Sequence, residues 1–352
     1  MSIIKKGIVI NGKFLSQNIT GVQRYAREIL LELDKLTDSE IDIVMVTDKN
    51  ARDIPEYTNI KVERIGRFAG NLWEQISLPL YVLRKKALCV NLCNIAPILT
   101  PHIVVIHDVS YKVNKQFFSK KFTLWYNFVF ALISRRIKRI ITVSQFSRDE
   151  ICREYRKEPD DITVTYNGWQ HFERISYDGN ALNKYGLLSK KFYFAMSSMA
   201  QNKNFKWIAQ AARNNPEAIF AVSGAVNAKV FGDALDFEIP DNLKFLGYVS
   251  DEEAKTLMRE CRAFLFPTYY EGFGIPPLEA MSAGAECIVS DRSCMREIYG
   301  DSVRYIDPDD AMIDIERLLK ETVTPKDEVL QMYSWKRSAE ILYKTLIALL
   351  KK

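Results

Sequence analysis

The stretch YYEGFGIPPLEAMSAG, residues 269–284, decides the fold of the second half of the chain. It follows AFLFP (263–267), a short apolar run that is typical of a buried strand. Pro276-Pro277 suits the first turn of a helix, where a missing N–H costs no hydrogen bond, and Gly284 suits the C-terminal end of that helix. The stretch therefore predicts a strand, a loop at residues 272–274 and a helix, in that order.

Two carboxylates frame this loop: Glu271 precedes it, and Glu279 lies inside the predicted helix. The backbone amides and the positive dipole end of a helix N-terminus suit a diphosphate. Carboxylates accept hydrogen bonds, which suits the hydroxyls of a sugar or a ribose. From the residues alone, a site for a phosphorylated, hydroxyl-rich ligand and an ordinary helix with an N-terminal acid both remain open.

The same alternation of apolar runs and helical patterns fills the rest of the chain. In the first half the runs are GIVIN (7–11), IDIVMVT (41–47), IKVERI (60–65), LCVNLC (88–93), HIVVIH (102–107) and RIITVS (139–144). In the second half they are KFYFAMS (191–197), AIFAVSG (218–224), LKFLGYV (243–249), AFLFP, ECIVSD (286–291) and VRYID (303–307). Near-continuous apolar strands between helices predict parallel sheets that are buried on both faces.

The length of 352 residues suits two domains. We predict two doubly wound, Rossmann-like α/β domains, at residues 1–170 and 189–333, because periodicity is lost between them. Residues 171–188 are predicted to be a linker. Ligands of such sheets bind beyond the carboxyl ends of the strands, so we expect the site in a cleft between the domains. Two capping boxes, Ser147-x-x-Glu150 and Ser250-x-x-Glu253, each predict the start of a helix.

The composition is that of a globular protein, with 47% hydrophobic and 26% charged residues. The six cysteines are scattered and there are three histidines, so we expect no zinc cluster. Reduced thiols indicate a cytoplasmic protein. The longest apolar stretch, residues 124–133, is too short to span a bilayer, and the N-terminus lacks the apolar run of a signal peptide.

Charge is unevenly distributed along the chain. Residues 1–170 carry a net charge of +8 and residues 171–352 one of −3, which add to the +5 of the whole chain. Much of the excess lies in a basic aromatic segment at residues 111–140. The segment can be a core helix with lysine-rich ends or, as we favour, a surface that contacts an anionic membrane. Nucleic acid is disfavoured because the aromatic residues cluster rather than follow a basic groove.

The stretch FPTYYEGFGIPPLEAMSAG (266–284) resembles the signature of the retaining GT-B glycosyltransferases of family 4, with its two spaced glutamates. Two flanking stretches resemble the same family: LGYVSDEEAKTLMRECRAFLFP (246–267) and IVSDRSCMREIYGDSVRYIDPDD (288–310). So do TGVQRYAREIL (20–30), VVIHDVSY (104–111) and ITVSQFSRDEI (141–151). The resemblance implies the GT-B fold, and residues 334–352 look like the family's terminal helix, which returns to the N-terminal domain.

On the donor side, the resemblance implies that Glu279 binds the nucleotide ribose and that Glu271 contacts the donor sugar. Lys203 would neutralise the leaving diphosphate. The backbone of the glycine loop would add further donor contacts, from Gly272, Phe273, Gly274 and Ile275. Asn202 stands where the family usually has an arginine, which leaves one cation to be replaced, for which Arg24 and Lys206 are candidates.

On the acceptor side, the resemblance implies that Gly21 lies close to the diphosphate or the acceptor. His107 would contact the donor sugar and orient the acceptor, with Asp108 holding its tautomer. Arg24, Asp108 and Tyr111 are the further acceptor-side candidates. We expect no metal and no cofactor, because Asp307-Pro308-Asp309 is better explained as a strand end and helix cap than as a metal site.

The expected function is metal-independent transfer of a hexose, with retained configuration, from a nucleotide diphosphate sugar to a hydroxyl of a polyprenyl-diphosphate-linked glycan. This is the chemistry of bacterial surface polysaccharide synthesis, such as O-antigen or capsule, on the inner face of the cytoplasmic membrane. No carboxylate is placed as a nucleophile, which favours attack on the same face as the leaving group. The alternatives are a GT-B-fold nucleotide-sugar epimerase and a non-catalytic nucleotide-sugar-binding protein.

Overall fold

A computed structural model of the protein describes residues 7–37, 41–196, 200–224 and 239–351, with the side chains of Phe122 and Trp125 left aside. The chain forms two compact units. Unit 1 comprises residues 1–167 and 335–352, and unit 2 comprises residues 168–334. The chain therefore leaves unit 1 once and returns to it with its last helix.

Unit 1 is built on a seven-stranded parallel sheet with the order β3-β2-β1-β4-β5-β6-β7. Its strands are β1 (Ile8–Asn11), β2 (Ile43–Thr47), β3 (Lys61–Arg64), β4 (Leu88–Asn91), β5 (His102–Val105), β6 (Ile137–Thr142) and β7 (Ile162–Val164). Its α-helices are α1 (Gly21–Leu36), α2 (Gly70–Leu72), α3 (Leu78–Lys85), α4 (Ser110–Val113), α5 (Lys120–Ile133) and α6 (Gln145–Tyr155), with a π turn at Trp73–Ser77. Short 3₁₀ turns lie at Gly12–Ser16, Lys115–Phe117, Ser134–Arg136 and Pro159–Asp161.

The apolar stripe of α1 is buried along its length, as the three-four spacing of its residues predicts. The last helix, which we number α14 (Trp335–Leu350), packs on α1. The rings of Tyr25 and Trp335 are both buried and lie 6.0 Å apart, centroid to centroid. The hydroxyl of Ser338 donates to the carbonyl of Tyr166 and fixes α14 to the end of the sheet.

Unit 2 is built on a six-stranded parallel sheet with the order β10-β9-β8-β11-β12-β13. Its strands are β8 (Phe192–Met196), β9 (Ile219–Ser223), β10 (Leu243–Gly247), β11 (Ala263–Phe266), β12 (Cys287–Ser290) and β13 (Arg304–Ile306). Its α-helices are α7 (Ala181–Tyr185), α8 (Phe205–Asn214), α9 (Asp251–Glu260), α10 (Ile275–Ser282), α11 (Met295–Tyr299), α12 (Ile315–Leu318) and α13 (Lys326–Met332). Short 3₁₀ turns lie at Phe172–Arg174 and Gln201–Lys203. All twelve predicted strands are present in the two sheets.

Two local predictions differ from the structure, and a third is confirmed. Strand β7, which has three residues at the edge of its sheet, was not predicted from the sequence. Helix α6 is capped by Ser144, whose side chain accepts from the N–H of Ser147, so the helix begins before the predicted capping box. The Ser250 capping box is confirmed at the start of α9.

The predicted linker at residues 171–188 lies within unit 2. The ammonium of Lys255, on α9, donates to the carbonyls of Phe172 and Ile175 at 2.7 and 2.6 Å. Asp178 donates its N–H to Thr256 on the same helix. These bonds tie the segment to α9 although its sequence has no helical or strand period, because backbone carbonyls can be held by a distant side chain whatever their own sequence.

Candidate functional site

The centre of the unit 2 sheet brings together two loops that carry predicted site residues. The strand order reverses between β8 and β11, and such switch points are where doubly wound sheets bind ligands. After β8, the carbonyl of Asn202 accepts from the N–H of Tyr269 and the hydroxyl of Thr268, at 2.8 and 2.9 Å. The side chain of Asn202 donates to the carbonyl of Tyr270 at 3.4 Å. The residue that replaces the expected arginine therefore joins the loop after β8 to the loop after β11.

This loop junction places Lys203 beside Glu271. Their side chains form an ion pair, and each is largely shielded from solvent. The hydroxyl of Thr268, whose single proton is shared with the carbonyl of Asn202, lies 3.1 Å from the same oxygen of Glu271, and the backbone N–H of Glu271 donates to Ser293 at 3.2 Å. The carboxylate of Glu271 thus has two neighbours, Lys203 and Thr268, and its backbone is held by Ser293.

The helix that follows the glycine loop begins where the prolines predict. Gly274 has a φ of +84° and is the N-cap residue of α10, with prolines in the first turn. The backbone angle favours glycine, and a methyl group at Gly274 would lie 2.8 Å from Cε of Met295, which would have to move. The hydroxyl of Tyr299 donates to the carbonyl of Gly274 and fixes the peptide. The N-terminus of α10 is thereby held rigidly beside the ion pair.

Phe273 directs its ring away from the loop into the interior of unit 2. The ring is buried and meets the ring of Tyr333 edge-on at 5.4 Å. Only the backbone of Phe273 is therefore available for the predicted contact with the donor substrate. The same holds for Ile275, whose side chain is buried.

Glu279 lies on the buried side of α10 and has a partner that the sequence did not predict. His171 Nε2 is 2.7 Å from Glu279 Oε1. A carboxylate accepts only, so the imidazole nitrogen is the donor. The neighbours of His171 are also fixed, since Trp169 donates to the carbonyl of Leu330 and Gln170 to that of Tyr333. One oxygen of Glu279 is therefore oriented by a histidine, and a carboxylate has a second oxygen with which to accept.

In unit 1, the predicted residues lie at the carboxyl end of the sheet. His107 follows β5 by two residues and is buried. The ring nitrogen Nε2 of His107 is hydrogen-bonded to the carbonyl of Leu92 at 2.9 Å, and the backbone N–H of His107 donates to Asn94 Oδ1 at 2.9 Å. The ring of Tyr25 meets it edge-on at 4.9 Å. Burial lowers the pKa of His107 below its ordinary value, which keeps the imidazole neutral.

The tautomer of His107 is fixed by a different group from the one expected. A carbonyl only accepts, so the bond to Leu92 requires the proton on Nε2. Asp108 Oδ1 instead accepts from the N–H of Ser110 at 2.9 Å and caps the turn that begins α4. The expectation that Asp108 holds the tautomer is therefore wrong, and Asp108 is left facing a cavity.

The remaining predicted residues of unit 1 surround the start of α1 and α4. Gly21 is the first residue of α1, is exposed, and lies between Thr20 and Gln23, whose side-chain oxygen accepts from the N–H of Thr20. Arg24 lies in the same turn and is half-buried. Tyr111 is buried and shares a hydrogen bond with the hydroxyl of Tyr155, and burial raises the pKa of Tyr111 to about 12.

Two cavities of about 180 Å³ each open at this end of unit 1. One is lined mostly by aromatic and aliphatic side chains, with Asp108 in its wall, and is lined among others by Tyr111, Phe118, Phe130 and Tyr155. The other is polar and is lined among others by Asn11, Lys13, Gln17, Gln23 and Glu74. Asn94, Ile95 and Tyr126 line both, so the two cavities are neighbours. A ligand with a polar and an apolar part can contact both.

The floor of the polar cavity is a buried network that the sequence did not predict. Lys13 Nζ and Glu74 Oε2 form an ion pair at 2.7 Å, and Lys13 also donates to Asn71 at 2.7 Å. Asn11 bridges the other oxygen of Glu74 and the side chain of Asn91, at 2.8 and 2.9 Å. These residues come from β1, the first 3₁₀ turn, α2, the π turn and β4, so only the fold brings them together.

The motif Asp307-Pro308-Asp309, which was considered as a metal site, has a structural role. Arg292 forms ion pairs with both Asp307 and Asp309, at 3.0 and 3.2 Å, so these carboxylates have a cationic partner. In residues 7–37, 41–196, 200–224 and 239–351, no three side chains of the metal-binding types converge. Across those same ranges, no helix combines the length and hydrophobicity of a transmembrane segment.

Comparison with known proteins places the chain in a family. Two family models match, "Glycosyltransferase Family 4" over residues 19–170 and "Glycosyl transferases group 1" over residues 181–333. The O-antigen chain mannosyltransferase RfbU of Salmonella typhimurium is 25% identical over 324 residues, which cover 86% of this chain and 87% of the relative. The UDP-Gal:alpha-D-GlcNAc-diphosphoundecaprenol alpha-1,3-galactosyltransferase of Escherichia coli is 25% identical over 304 residues, which cover 78% of this chain and 76% of the relative.

The fold is shared with solved structures. A sucrose-phosphate synthase from Thermosynechococcus elongatus superposes with a TM-score of 0.73 at 16% identity, over 97% of this chain and 99% of that one. The two family models together match most of the chain, one in each half. The chain therefore belongs to the family 4 glycosyltransferases and has their two-domain GT-B fold.

Proposed function

We propose that the protein transfers a hexose from a nucleotide diphosphate sugar to a hydroxyl of a lipid-linked glycan, with retained configuration and without a metal. The observation that carries this proposal is the Lys203–Glu271 pair at the N-terminus of α10, at the switch point of the unit 2 sheet. A cation, a helix N-terminus and fixed carboxylates are the groups that a diphosphate and a sugar require. The polysaccharide setting is supported by the names of the two relatives.

On the donor side, the backbone amides at residues 272–274 and the ammonium of Lys203 would hold the diphosphate. Negative charge grows on that group as the bond to the sugar breaks, and fixed donors stabilise it without reorganising. In the structure Lys203 is paired with Glu271, so donor binding would place the ammonium between a carboxylate and a phosphate. Glu271 would then turn its remaining accepting capacity to the hydroxyls of the sugar.

At the other end of the donor, Glu279 would bind the ribose. His171 orients one carboxylate oxygen, and the second oxygen would accept from a ribose hydroxyl. Because Glu279 sits on a helix and its partner is buried, the carboxylate has little freedom to rotate. This rigidity favours a fixed distance between the ribose and the diphosphate.

For the chemical step, we propose attack of the acceptor hydroxyl on the same face as the leaving group. The departing phosphate oxygen would take the proton of the acceptor, which requires no base from the protein. His107 would contribute as a neutral acceptor through Nδ1, since burial lowers its pKa and the proton on Nε2 is bonded to the carbonyl of Leu92. No cofactor takes part in this scheme.

The basic aromatic segment at residues 111–140 is proposed to contact the membrane that holds the acceptor lipid. One face of α5 is core, with Val129, Phe130 and Ile133 buried. On the other face Leu124 and Phe128 are 73% and 57% exposed, and α5 begins with two exposed lysines. Apolar side chains beside lysines suit the interface of an anionic bilayer. We therefore propose a peripheral location on the cytoplasmic face of the membrane.

The test is a donor screen on the full chain. The protein is incubated with UDP-, GDP-, dTDP- and ADP-hexoses, with and without a polyprenyl-diphosphate sugar acceptor, and the released nucleotide diphosphate is quantified. We expect release from one donor, stimulated by acceptor, and a loss of about 10²–10³-fold in kcat for Lys203→Met, the range measured for single transition-state donors. Lys191→Met is the matched control, because Lys191 is an exposed lysine of unit 2 at the opposite end of β8 from Lys203.

The outcomes also separate the alternatives. Conversion of the donor to another nucleotide sugar without any acceptor would identify an epimerase. Binding of a donor with no release under any acceptor would identify a non-catalytic nucleotide-sugar-binding protein, and Asn202 would then be the first residue to replace by arginine. The anomeric configuration of the product, read by NMR, tests the retaining step on its own.

A further inference from the structure

The segment at residues 67–86 exposes apolar side chains along one side of a helix. Leu72, Ile76, Leu80 and Leu83, which we name the apolar stripe, are between 40% and 61% exposed. They are spaced by four, four and three residues, as neighbours on one helical face are. Exposed apolar residues that recur in this way form a continuous surface, unlike single exposed leucines elsewhere.

The opposite side of the same helix is filled, so the apolar stripe cannot turn inward. Trp73, Leu78 and Val82 are buried in the core of unit 1, and the indole of Trp73 donates to the carbonyl of Ile65 at 2.8 Å. Trp73 and Leu78 are five residues apart, and the π turn between them has an N–H to O bond from Leu78 to Trp73. The additional residue of this turn keeps both side chains on the core side.

Charge flanks the apolar stripe at both ends. Arg67 precedes it, and Arg84, Lys85 and Lys86 follow it, all exposed. The acid within the segment, Glu74, is buried and paired with Lys13. Glu63, on β3, accepts from the hydroxyl of Tyr81 on the flank of the helix. The exposed side of residues 67–86 therefore carries positive charge alone.

The helix that carries the apolar stripe also lies close to α5, part of the surface already proposed to contact lipid. Gln75 donates to the carbonyl of Ala96 and accepts from the N–H of Ile98, at 3.3 and 3.1 Å, next to the exposed Leu99. Glu74 and Tyr126 of α5 line the same cavity. Two amphipathic elements, one on each side of this cavity, thus expose apolar and basic residues near the same end of unit 1.

We propose that residues 67–86 form a second membrane-contacting element, which lies in the plane of an anionic bilayer with the apolar stripe inserted below the headgroups. This rests on the proposed function for its first contact, the segment at residues 111–140. The occupant is a bilayer rather than a protein because the flanking charges are all positive and the apolar side chains lie along one line. Two contacts would fix the rotation of unit 1 on the membrane, which one helix cannot do.

The experiment uses the full chain and vesicles of phosphatidylcholine, with or without phosphatidylglycerol, in a sedimentation assay at low and high salt. Leu72→Ser with Leu80→Ser is the test variant, because it removes apolar surface and leaves the charge unchanged. Leu188→Ser with Met312→Ser is the matched control, since these unit 2 side chains are 72% and 78% exposed. We expect the test variant to lose at least about tenfold in partitioning to phosphatidylglycerol vesicles, given the apolar area removed, and the control to match the parent.

Turnover of a soluble donor, or the melting profile where no turnover is found, shows that the test variant is folded. Equal binding of the test variant and the parent would overturn the proposal. If binding is lost only in Lys120→Gln with Lys121→Gln, the segment at residues 111–140 is the membrane contact, and the proposed function stands without this second element. If the parent itself fails to bind, both membrane assignments fail. A change of oligomeric state in the test variant, with vesicle binding retained, would assign the apolar stripe to a second copy of the chain.

Discussion

Replacing Gly274 by alanine tests whether the start of α10 is set by backbone geometry and by close packing together. Gly274 has a φ of +84°, and an added methyl group would lie 2.8 Å from Cε of Met295 and 3.4 Å from the ring of Phe266. Gly284, at the other end of the helix, has a φ of +94° with no atom within 4 Å of the added methyl group. Comparison of Gly274→Ala with Gly284→Ala therefore separates the cost of backbone strain from the cost of steric overlap, within unit 2.

The expected loss of stability is the sum of the backbone strain and the cost of the steric overlap. A residue with a side chain at a left-handed φ costs about 1–2 kcal/mol, which both alanine variants share. Overpacking costs about 1–3 kcal/mol more, which falls on Gly274→Ala alone. The terminal methyl group of Met295 can move, but Met295 is fully buried, so it has little room to do so.

The assay is thermal unfolding of the full chain, followed by the transition of unit 2. We expect Gly274→Ala to unfold below Gly284→Ala by ~3–9 °C, the shift that 1–3 kcal/mol causes in a domain of this size. Donor binding should weaken in Gly274→Ala as well, because the amides at the start of α10 move with the peptide. In a Met295→Ala background, the difference between the two glycine variants should shrink. Equal melting of the two single variants would refute the steric argument.

Three further predictions concern other parts of the chain. The buried carboxylate of Asp34 accepts from the N–H groups of Thr58, Asn59 and Ile60. Because an amide has one acceptor oxygen fewer, Asp34→Asn should lower the free energy of unfolding of unit 1 by about 1–3 kcal/mol in a urea titration. An unchanged midpoint would contradict this. Burial lowers the pKa of His107 and of His102, so the unfolded chain binds more protons than the folded one as the pH falls. The free energy of unfolding should therefore be highest above pH ~6.5 and decrease below it by up to about 1.4 kcal/mol per pH unit for each histidine. Denaturant titrations at pH 5 to 7 should show a smaller slope for His107→Gln. His171→Ala should raise the KM for the donor about tenfold with a smaller change in kcat, and His171→Gln, which still donates to Glu279, should recover most of it; a pure loss of kcat would assign His171 to chemistry instead.

The strands could be predicted because each is a short apolar run between polar turns, and burial on both faces of a parallel sheet imposes that pattern. The edge strand β7 has the run ITV, which is too short and too polar to stand out from a loop. The helix α10 could be placed to the residue, since prolines and glycines act locally on the backbone. Its two glutamates could be singled out for the same reason, as fixed positions around a recognisable turn.

The partners of those residues could not be predicted, because they depend on contacts between distant parts of the chain. His171 and Glu279 are 108 residues apart in sequence, and Lys13 and Glu74 are 61 apart. Lys203 and Glu271 could each be given a role, but their ion pair depends on how Asn202 joins two loops. The tautomer of His107 depends on a carbonyl, which carries no side-chain signature at all.

The return of α14 to unit 1 has a consequence for synthesis on the ribosome. All of unit 2 lies between Asn167 and Trp335 in sequence, so the ribosome delivers it before the helix that covers α1. Until then, Tyr25 and its neighbours on α1 lack the partner that buries them in the finished protein. Unit 2, as one uninterrupted segment, can complete its sheet first, and the first unit to be translated is the last to be finished.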